Sequence, residues 1–542
     1  MIKNFVLFCL FIVPASARSQ QINPLWVSTE ETDGDLGLGR LPLVMIDSSH
    51  NVIVCGSTYA PGPVLGFVTT KYDPDGSKLW QRFYDTFATD LITSAATDNA
   101  GAVYVGGSST NPFSGQTQFI VIKYASDGGV LWQYSYTDIP GASTYLSKVL
   151  LDSSQNLLIF GSYVDPGSSE SGLLTVKLDP GGNEIWSAGW DAGDYGYGAV
   201  DARLVADHIV FWAQNGSAEG LRFFAWQIDM NGQTIDTAHT EPYSDYFWIG
   251  YYTDENGSLY IGDNAGEYKV SKFGVNGISD WVYKKPVSFS NPDVIPAYTY
   301  SITTNNQGDV YISGGLRLTD SVGMIGLTSK LNSSGKLVWE HEFSLNDIEQ
   351  ITPYRVSWLK DGLLLVIGLA STKLDSNFYE YFLATYDPNG FVKGGISDIP
   401  GRRNWPASIA PDGAYFYIAG EGDPEIEVFE PSWQFLCKYS LEEVVSTQLP
   451  SMVSMVPEQL TLSPNPVRDK CRVSLDHTGG STKGVLEISD NLGNIISSKE
   501  VFLTAGMNIM ELEIPESLPQ GVYGVVLRTA EKFYVASVVR MK

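Results

Sequence analysis

Basic residues, histidine and cysteine are all scarce in this 542-residue chain. Lys and Arg number 34 against 61 Asp and Glu, a formal net charge of −27. A surface that negative repels phosphate instead of releasing counterions from it, which argues against nucleic acid as a partner. The five histidines (His50, His208, His239, His341 and His477) do not cluster, and solvated turn or strand positions are expected for them. HExxH, nucleophile-elbow and phosphate-loop patterns are absent, so the sequence names no catalytic residue, no metal site and no cofactor.

Long apolar runs are missing as well. The one candidate, Phe5 to Val13, is shorter than the ~20 residues a spanning helix needs. With Lys3 before it and Ala15-Ser16-Ala17 after it, it reads as a secretory signal over residues 1–17. Cys9 leaves with that segment. Cys55, Cys437 and Cys471 are too few for a disulfide framework. Buried free thiols are expected, with a Cys55–Cys437 bridge as the alternative.

What the chain has in abundance is Gly (54), Pro (27) and aromatic residues (12%), the mix of packed β structure with many turns. It also has a repeat. One unit runs Leu91 to Asp98, Ala102 to Gly106, Phe119 to Tyr124 and Gly129 to Trp132, four short strands bounded by turn residues. The first strand ends in Asp47, Asp98, Asp152, Asp207, Asp254, Asn305, Asp361 or Asp412, side chains that close a turn on their own backbone. The third runs into turns such as Asp73-Pro-Asp-Gly76 and Asp179-Pro-Gly-Gly182. The fourth carries Trp80, Trp132, Trp186, Trp281 or Trp339. A period of roughly fifty residues is that of a four-stranded propeller blade.

The fold class expected is therefore all-β: a β-propeller over 22–440 of eight four-stranded blades, or seven if one divergent copy is an insertion. The fourth copy is the most divergent, with Gln227 in place of the recurrent lysine and Ile235 in place of the tryptophan. Leu25-Trp26-Val27 has the fourth-strand signature without preceding strands, so it is expected to complete the last blade, with Trp433 to Lys438 a competing candidate for that edge. The repeated tryptophans read as packing between blades. The Asp-Pro-Asp-Gly segments lack the continuation of a calcium loop and read as turns. These units resemble the SBBP-type bacterial β-propeller repeat, a resemblance that implies architecture and no shared activity.

An irregular connector is expected over 441–458. Beyond it come Leu462-Ser-Pro-Asn-Pro-Val467, Gly484 to Asp490, Gly506-Met-Asn508, Gly521 to Val526 and a last strand from Phe533 to Val539. This reads as a small sandwich of about seven strands over 459–542, with nine basic and nine acidic side chains from Thr461 onward. The order of these motifs resembles the type A C-terminal sorting domain of the type IX secretion system of Bacteroidetes. That resemblance implies secretion machinery as a partner and a destination at the cell surface or beyond.

Function is sought in the connections from fourth to first strands, which a propeller gathers around one channel mouth. They are long, aromatic and charged: Asp191, Asp194, Tyr195 and Tyr197; Asp245, Tyr246 and Trp248; Tyr298 and Tyr300; Tyr354 and Arg355; Arg402, Arg403 and Trp405. Loops on a rigid scaffold are where binding concentrates. A monomeric binding module for a glycan, peptide or protein is the leading reading. A polysaccharide hydrolase or lyase using Asp191, Asp194 and Asp245 is one alternative, and a structural or adhesive protein is another.

Overall fold

Among the described residues, four of the repeats close the turn after the first strand with an aspartate on its own backbone, and a fifth does the same with Asn305. Asp47 Oδ1 accepts the backbone N–H groups of Ser49 (2.8 Å) and Asn51 (2.9 Å). Asp98, Asp152 and Asp254 do the same in their own units. The third-to-fourth-strand turns are closed alike by Asp73, Asp179, Asp229 and Asn332. With the turns fixed locally, the apolar stretches between them pair as antiparallel strands.

The computed structural model describes residues 22–541 except 32–41, 60–64, 85–88, 112, 137–140, 166–170, 192–196, 218–219, 243–249, 264–267, 286–293, 319–323, 344–347, 360–361, 373–374, 388–389, 391, 398–402, 424–432, 447–452, 456–457, 465, 478–480, 490–494, 516–517 and 530–532. The proposed signal segment lies outside the described residues.

Sheet 1 holds Leu43–Ile46, Val52–Tyr59, Leu65–Tyr72 and Lys78–Tyr84; sheet 2 holds Thr89–Thr97, Val103–Thr110, Thr117–Tyr124 and Val130–Ser135. Sheet 3 holds Ser143–Leu151, Leu157–Val164, Ser171–Leu178 and Glu184–Asp191; sheet 4 holds Tyr197–Val205, His208–Ser217, Gly220–Asp229 and Thr234–His239. Sheet 5 holds Gly250–Thr253, Leu259–Asp263, Lys269–Phe273 and Ser279–Lys284; sheet 6 holds Val294–Thr304, Val310–Leu318, Met324–Leu331 and Leu337–Phe343. Sheet 7 holds Ile348–Trp358, Leu364–Thr372, Asp375–Tyr386 and Val392–Ser397. Sheet 8, joined to sheet 7 by one parallel pairing of Tyr379 with Arg403, holds Arg403–Asp412, Tyr415–Asp423, Trp433–Ser440 and, as its fourth strand, Trp26–Glu31 from the start of the chain.

The fold is a β-propeller. The first strand of each sheet touches the first strands of the sheets before and after it. That of sheet 8 touches that of sheet 1, so the circuit closes on itself. Both candidates for the closing edge belong to sheet 8. Trp433–Ser440 is its third strand, and Trp26 to Glu31 pairs antiparallel alongside, Trp26 opposite Lys438. Antiparallel order sends the first-to-second and third-to-fourth turns to one edge of the ring, the turn edge. The remaining connections lie at the opposite, loop edge.

The turn edge carries a clamp between sheets. Lys71 is buried with Asp47, 2.7 Å away, and donates onward to Gly101 O and Ser126 O of sheet 2. The Trp80 indole donates to the same Ser126 O at 2.9 Å. Sheet 2 repeats this with Lys123, Asp98 and Trp132 on Pro180 O, and sheet 3 with Lys177, Asp152 and Trp186 on Met230 O. At the closure Lys438 and Trp26 both donate to Pro74 O. Burial pushes the Asp47 carboxyl up, but Lys71, the Asn51 amide and backbone N–H groups outweigh it and hold it below the usual carboxylate range.

The expectation that the tryptophans pack between blades describes what is seen. The Trp132 indole lies over Gly182 of sheet 3, where φ is +87° and a Cβ would sit 2.8 Å from the ring. Sheet 4, without the tryptophan in its fourth strand, uses another. Trp212, fully buried on its second strand, donates to Gly257 O of sheet 5 at 2.8 Å.

The thiols are free and buried, as expected, and the alternative bridge is not formed: Cys55 packs with Phe67 and Trp80, and Cys437 with Leu365 and Phe416, in separate clusters. Two expectations need correction. Two histidines are not solvated. His341 is fully buried against Trp339 and Tyr386, and His477 is buried with Nδ1 2.8 Å from the Tyr534 hydroxyl. The connector is not all irregular. Leu441–Ser446 is a short helix that buries Val444 among the apolar residues of sheets 7 and 8, and Val453–Met455 pairs with the outer edge of sheet 6. Leu441 and Val444, three residues apart, share one helix face and supply the apolar contact.

The C-terminal unit is a separate two-sheet β structure. Glu458–Gln459, Phe533–Arg540, Gly521–Thr529, Thr482–Ser489 and Ile495–Leu503 form one sheet in that order, and Thr461–Ser463, Lys470–His477 and Gly506–Glu513 the other. Val473, Leu486, Val525, Leu527 and Val538 lie in the core between them.

Candidate functional site

The innermost strands are bulged. In sheets 2, 3, 4, 6, 7 and 8 the pairing of first with second strand slips by one residue, leaving Thr93, Ser147, Val200, Tyr300, Tyr354 and Ala407 unopposed. A bulge bends its strand and re-aims the side chain it frees. In sheets 6 and 7 the freed residues are tyrosines, and their ring centroids meet at 4.9 Å across the boundary between the sheets.

These positions correct the sequence reading. Tyr298 and Tyr300 lie within the first strand of sheet 6, Tyr354 and Arg355 within that of sheet 7, and Arg403 and Trp405 within that of sheet 8. None of these six is in a connecting loop. Tyr197 opens the first strand of sheet 4, and Asp191 ends the fourth strand of sheet 3. The misreading has a local cause. Pro353 and Pro406 immediately precede the bulges and read as strand breakers, yet a bulge is where a strand tolerates a residue without an N–H. Asp194, Tyr195, Asp245, Tyr246, Trp248 and Arg402 lie outside the described residues.

Arg355 is a tie between sheets. Its Nε donates to Ala407 O of sheet 8 at 2.8 Å, and burial lowers its pKa from the ordinary guanidinium value. Arg203 makes the equivalent tie from sheet 4 to Thr253 O at 2.9 Å. Lys148 and Asp201 join sheets 3 and 4 at 3.1 Å.

The sequence reading missed Glu421. It lies directly opposite Trp405 in the register of sheet 8, toward the loop edge. It is buried, its Oε1 has no hydrogen-bond partner, and burial pushes its pKa up to about 7. Gln434, its neighbour across the next pair of strands, is equally buried with Nε2 unpartnered. The signal was available: Tyr417, Ala419 and Glu421 alternate along one strand face, so period two places a carboxyl where apolar residues precede it. Among the described residues, no group of three or more His, Cys, Asp or Glu is arranged to hold a metal ion.

Comparison with known proteins bears on the two parts differently. No curated protein matches the chain. Among solved structures, Sqt1 from Chaetomium thermophilum is similar over 77% of this chain and 100% of its own, with 10% identity and a TM-score of 0.42. The WD40 domain of SCAP from fission yeast is similar over 77% and 98%, with 10% identity and a TM-score of 0.41. The β-propeller domain of the Trilobed protease from Pyrococcus furiosus is similar over 67% and 100%, with 9% identity and a TM-score of 0.35. The fold assignment rests on the sheet pairing and the closed circuit described above, and these likenesses add nothing about activity. Among the described residues no helix is long and apolar enough to cross a membrane. Residues 461–540 match the family described as the secretion system C-terminal sorting domain, so the chain carries a tail that supports export by the type IX route to the cell surface or the extracellular space.

Proposed function

We propose that the chain is an eight-bladed propeller exported as a binding module, with a glycan, peptide or protein as its ligand at the loop edge around the channel. The observation that carries this reading is the closed circuit of first strands, with Tyr300 and Tyr354 in contact across the boundary between sheets 6 and 7. A ring gathers residues far apart in sequence onto one rim, and a rim of aromatic side chains on rigid strands suits recognition. Tyr246, Trp248 and Trp405 belong to that rim in this reading. The test is array binding by the full chain, against glycans and surface proteins. Combined substitution of Tyr246, Trp248 and Trp405 by Ala abolishes retention while thermal unfolding stays cooperative. Unchanged retention by the triple variant overturns the reading.

Glu421 favours a second reading, a polysaccharide-active enzyme. A buried carboxyl that holds its proton near neutral pH has the property of a general acid. In this reading Glu421→Gln eliminates release of reducing ends from a polysaccharide substrate without loss of folding. Equal release by both proteins excludes Glu421 from that role.

A further inference from the structure

The repeat provides its own control for a cavity at the boundary of sheets 1 and 2. The outer, loop-edge part of that boundary is an open cleft of about 510 Å³. Tyr84 of sheet 1 stands on one side, Gln118, Gln133 and Ser135 of sheet 2 on the other, with Ser109 on the second strand of sheet 2 and Gln116 in the loop that follows it. The next boundary has the same strand arrangement, with a ring in the equivalent place. There the positions of Ser109, Gln118 and Ser135 are taken by Tyr163, Gly172 and Gly189, and the Tyr163 ring lies directly over Gly172 and beside Gly189. Sheet 2 has exchanged the filling ring for a hydroxyl and the two glycines for groups that reach into the gap.

The chemistry of what replaced the ring is specific. The cleft is lined by amides, hydroxyls and aromatic rings, and among the described residues no Asp, Glu, Lys, Arg or His lines it. The side chains of Gln118, Gln133 and Ser135 make no hydrogen bond within the described protein, so their donors and acceptors are uncommitted. Burial and the nearby Asp90 raise the Tyr84 phenol above its usual pKa. A carboxamide gives and accepts hydrogen bonds in one plane, as vicinal sugar hydroxyls require, and a phenol ring offers an apolar face for sugar C–H groups. An anionic ligand finds no cation among the described lining residues and meets the net charge of −27 on approach.

We propose that the cleft between sheets 1 and 2 is a binding site for an uncharged saccharide. It is separate from the channel rim and does not depend on the reading given for that rim. Its volume falls in the ~300–1,000 Å³ range of small-ligand sites, enough for a short stretch of a neutral chain.

The test is calorimetric or NMR titration of the full chain with cellotetraose, maltotetraose, laminaritetraose and xylotetraose, with trigalacturonate as the charged control. At least one neutral probe binds saturably, and raising salt changes its Kd by less than about twofold because no ion pair is involved. Ser109→Tyr restores the ring that sheet 3 carries at this position and weakens binding by about tenfold or more with the unfolding temperature kept. The double variant Gln118→Ala, Gln133→Ala weakens it without filling the cleft. Absence of binding by all four neutral probes overturns the proposal, as does equal affinity of the S109Y chain or preference for trigalacturonate. S109Y leaves Tyr246, Trp248 and Trp405 intact, so failure here is distinguishable from failure at the rim.

Discussion

The two edges of the propeller are made by the same strands, but among the described residues buried charge recurs in one pattern only at the turn edge. There Asp47, Asp98 and Asp152 are buried, and each faces a lysine of its own sheet that also grips a backbone carbonyl of the next. Toward the loop edge Lys285, at the end of sheet 5, meets Glu340 of sheet 6 at one boundary. Glu421 of sheet 8 is buried there too, with one oxygen unpartnered. The turn edge assembles the ring through a repeated clamp. The cleft of Gln118 and Gln133 lies on the other side.

Removing one partner of a clamp is the strongest way to break that contrast. Lys71→Met leaves Asp47 buried and unpaired, which costs about 3–5 kcal/mol, and pairing it with Asp47→Leu returns much of the loss. Urea unfolding of the single and double variants measures both. Equal stability of the single variant and the parent would remove the clamp from the account.

The Glu421 effect is next in size and depends on pH. Its pKa is about 7 in the folded chain against 4.5 for the free side chain. Between those values the folded state binds the extra proton, so this group's contribution falls as pH rises from 4.5 to about 7, by ~3 kcal/mol in all. His341, lowered by burial from 6.5 to about 4, works the other way and removes stability as pH falls through that interval. The stability difference between the parent and Glu421→Gln, followed across pH, isolates the first term. A flat difference contradicts it.

The smallest effect compares two glycines of positive φ. Gly182→Ala strains the backbone at +87° and drives a methyl into Trp132, whereas Gly115→Ala at the loop edge strains the backbone at +70° with nothing within 4 Å. The turn-edge variant loses about 1–2 kcal/mol more, read from unfolding midpoints. Equal losses would mean that the indole is not held against the turn.

Much of the turn edge was legible because its signals are local and recur. Asp, Gly and Trp stand at fixed offsets, and each acts on residues nearby in sequence or in the adjoining repeat. The lysine was visible as a repeat position, but its pairing with Asp47 and its reach to Ser126 required register across two sheets. The loop edge was read less well. Tyr300 and Tyr354 looked like loop residues because a bulge interrupts the alternation that marks a strand, and Pro353 and Pro406 reinforced the error. Glu421 was passed over because an isolated carboxylate among 61 acidic residues attracts no notice until period two is followed along its strand. Tyr163 and Ser109 show the same limit. Their exchange is plain in an alignment of the repeats, but its meaning depends on knowing that both face the preceding sheet.

Everything depends on the ring being closed by Trp26–Glu31 against Trp433–Ser440. Native-state hydrogen exchange of the full chain tests this most directly. The account predicts that the bonded amides of Trp26–Glu31 are protected to within about 1 kcal/mol of those of Trp433–Ser440 and lose protection with them as one unit. Free exchange of Trp26–Glu31 while Trp433–Ser440 stays protected would contradict it.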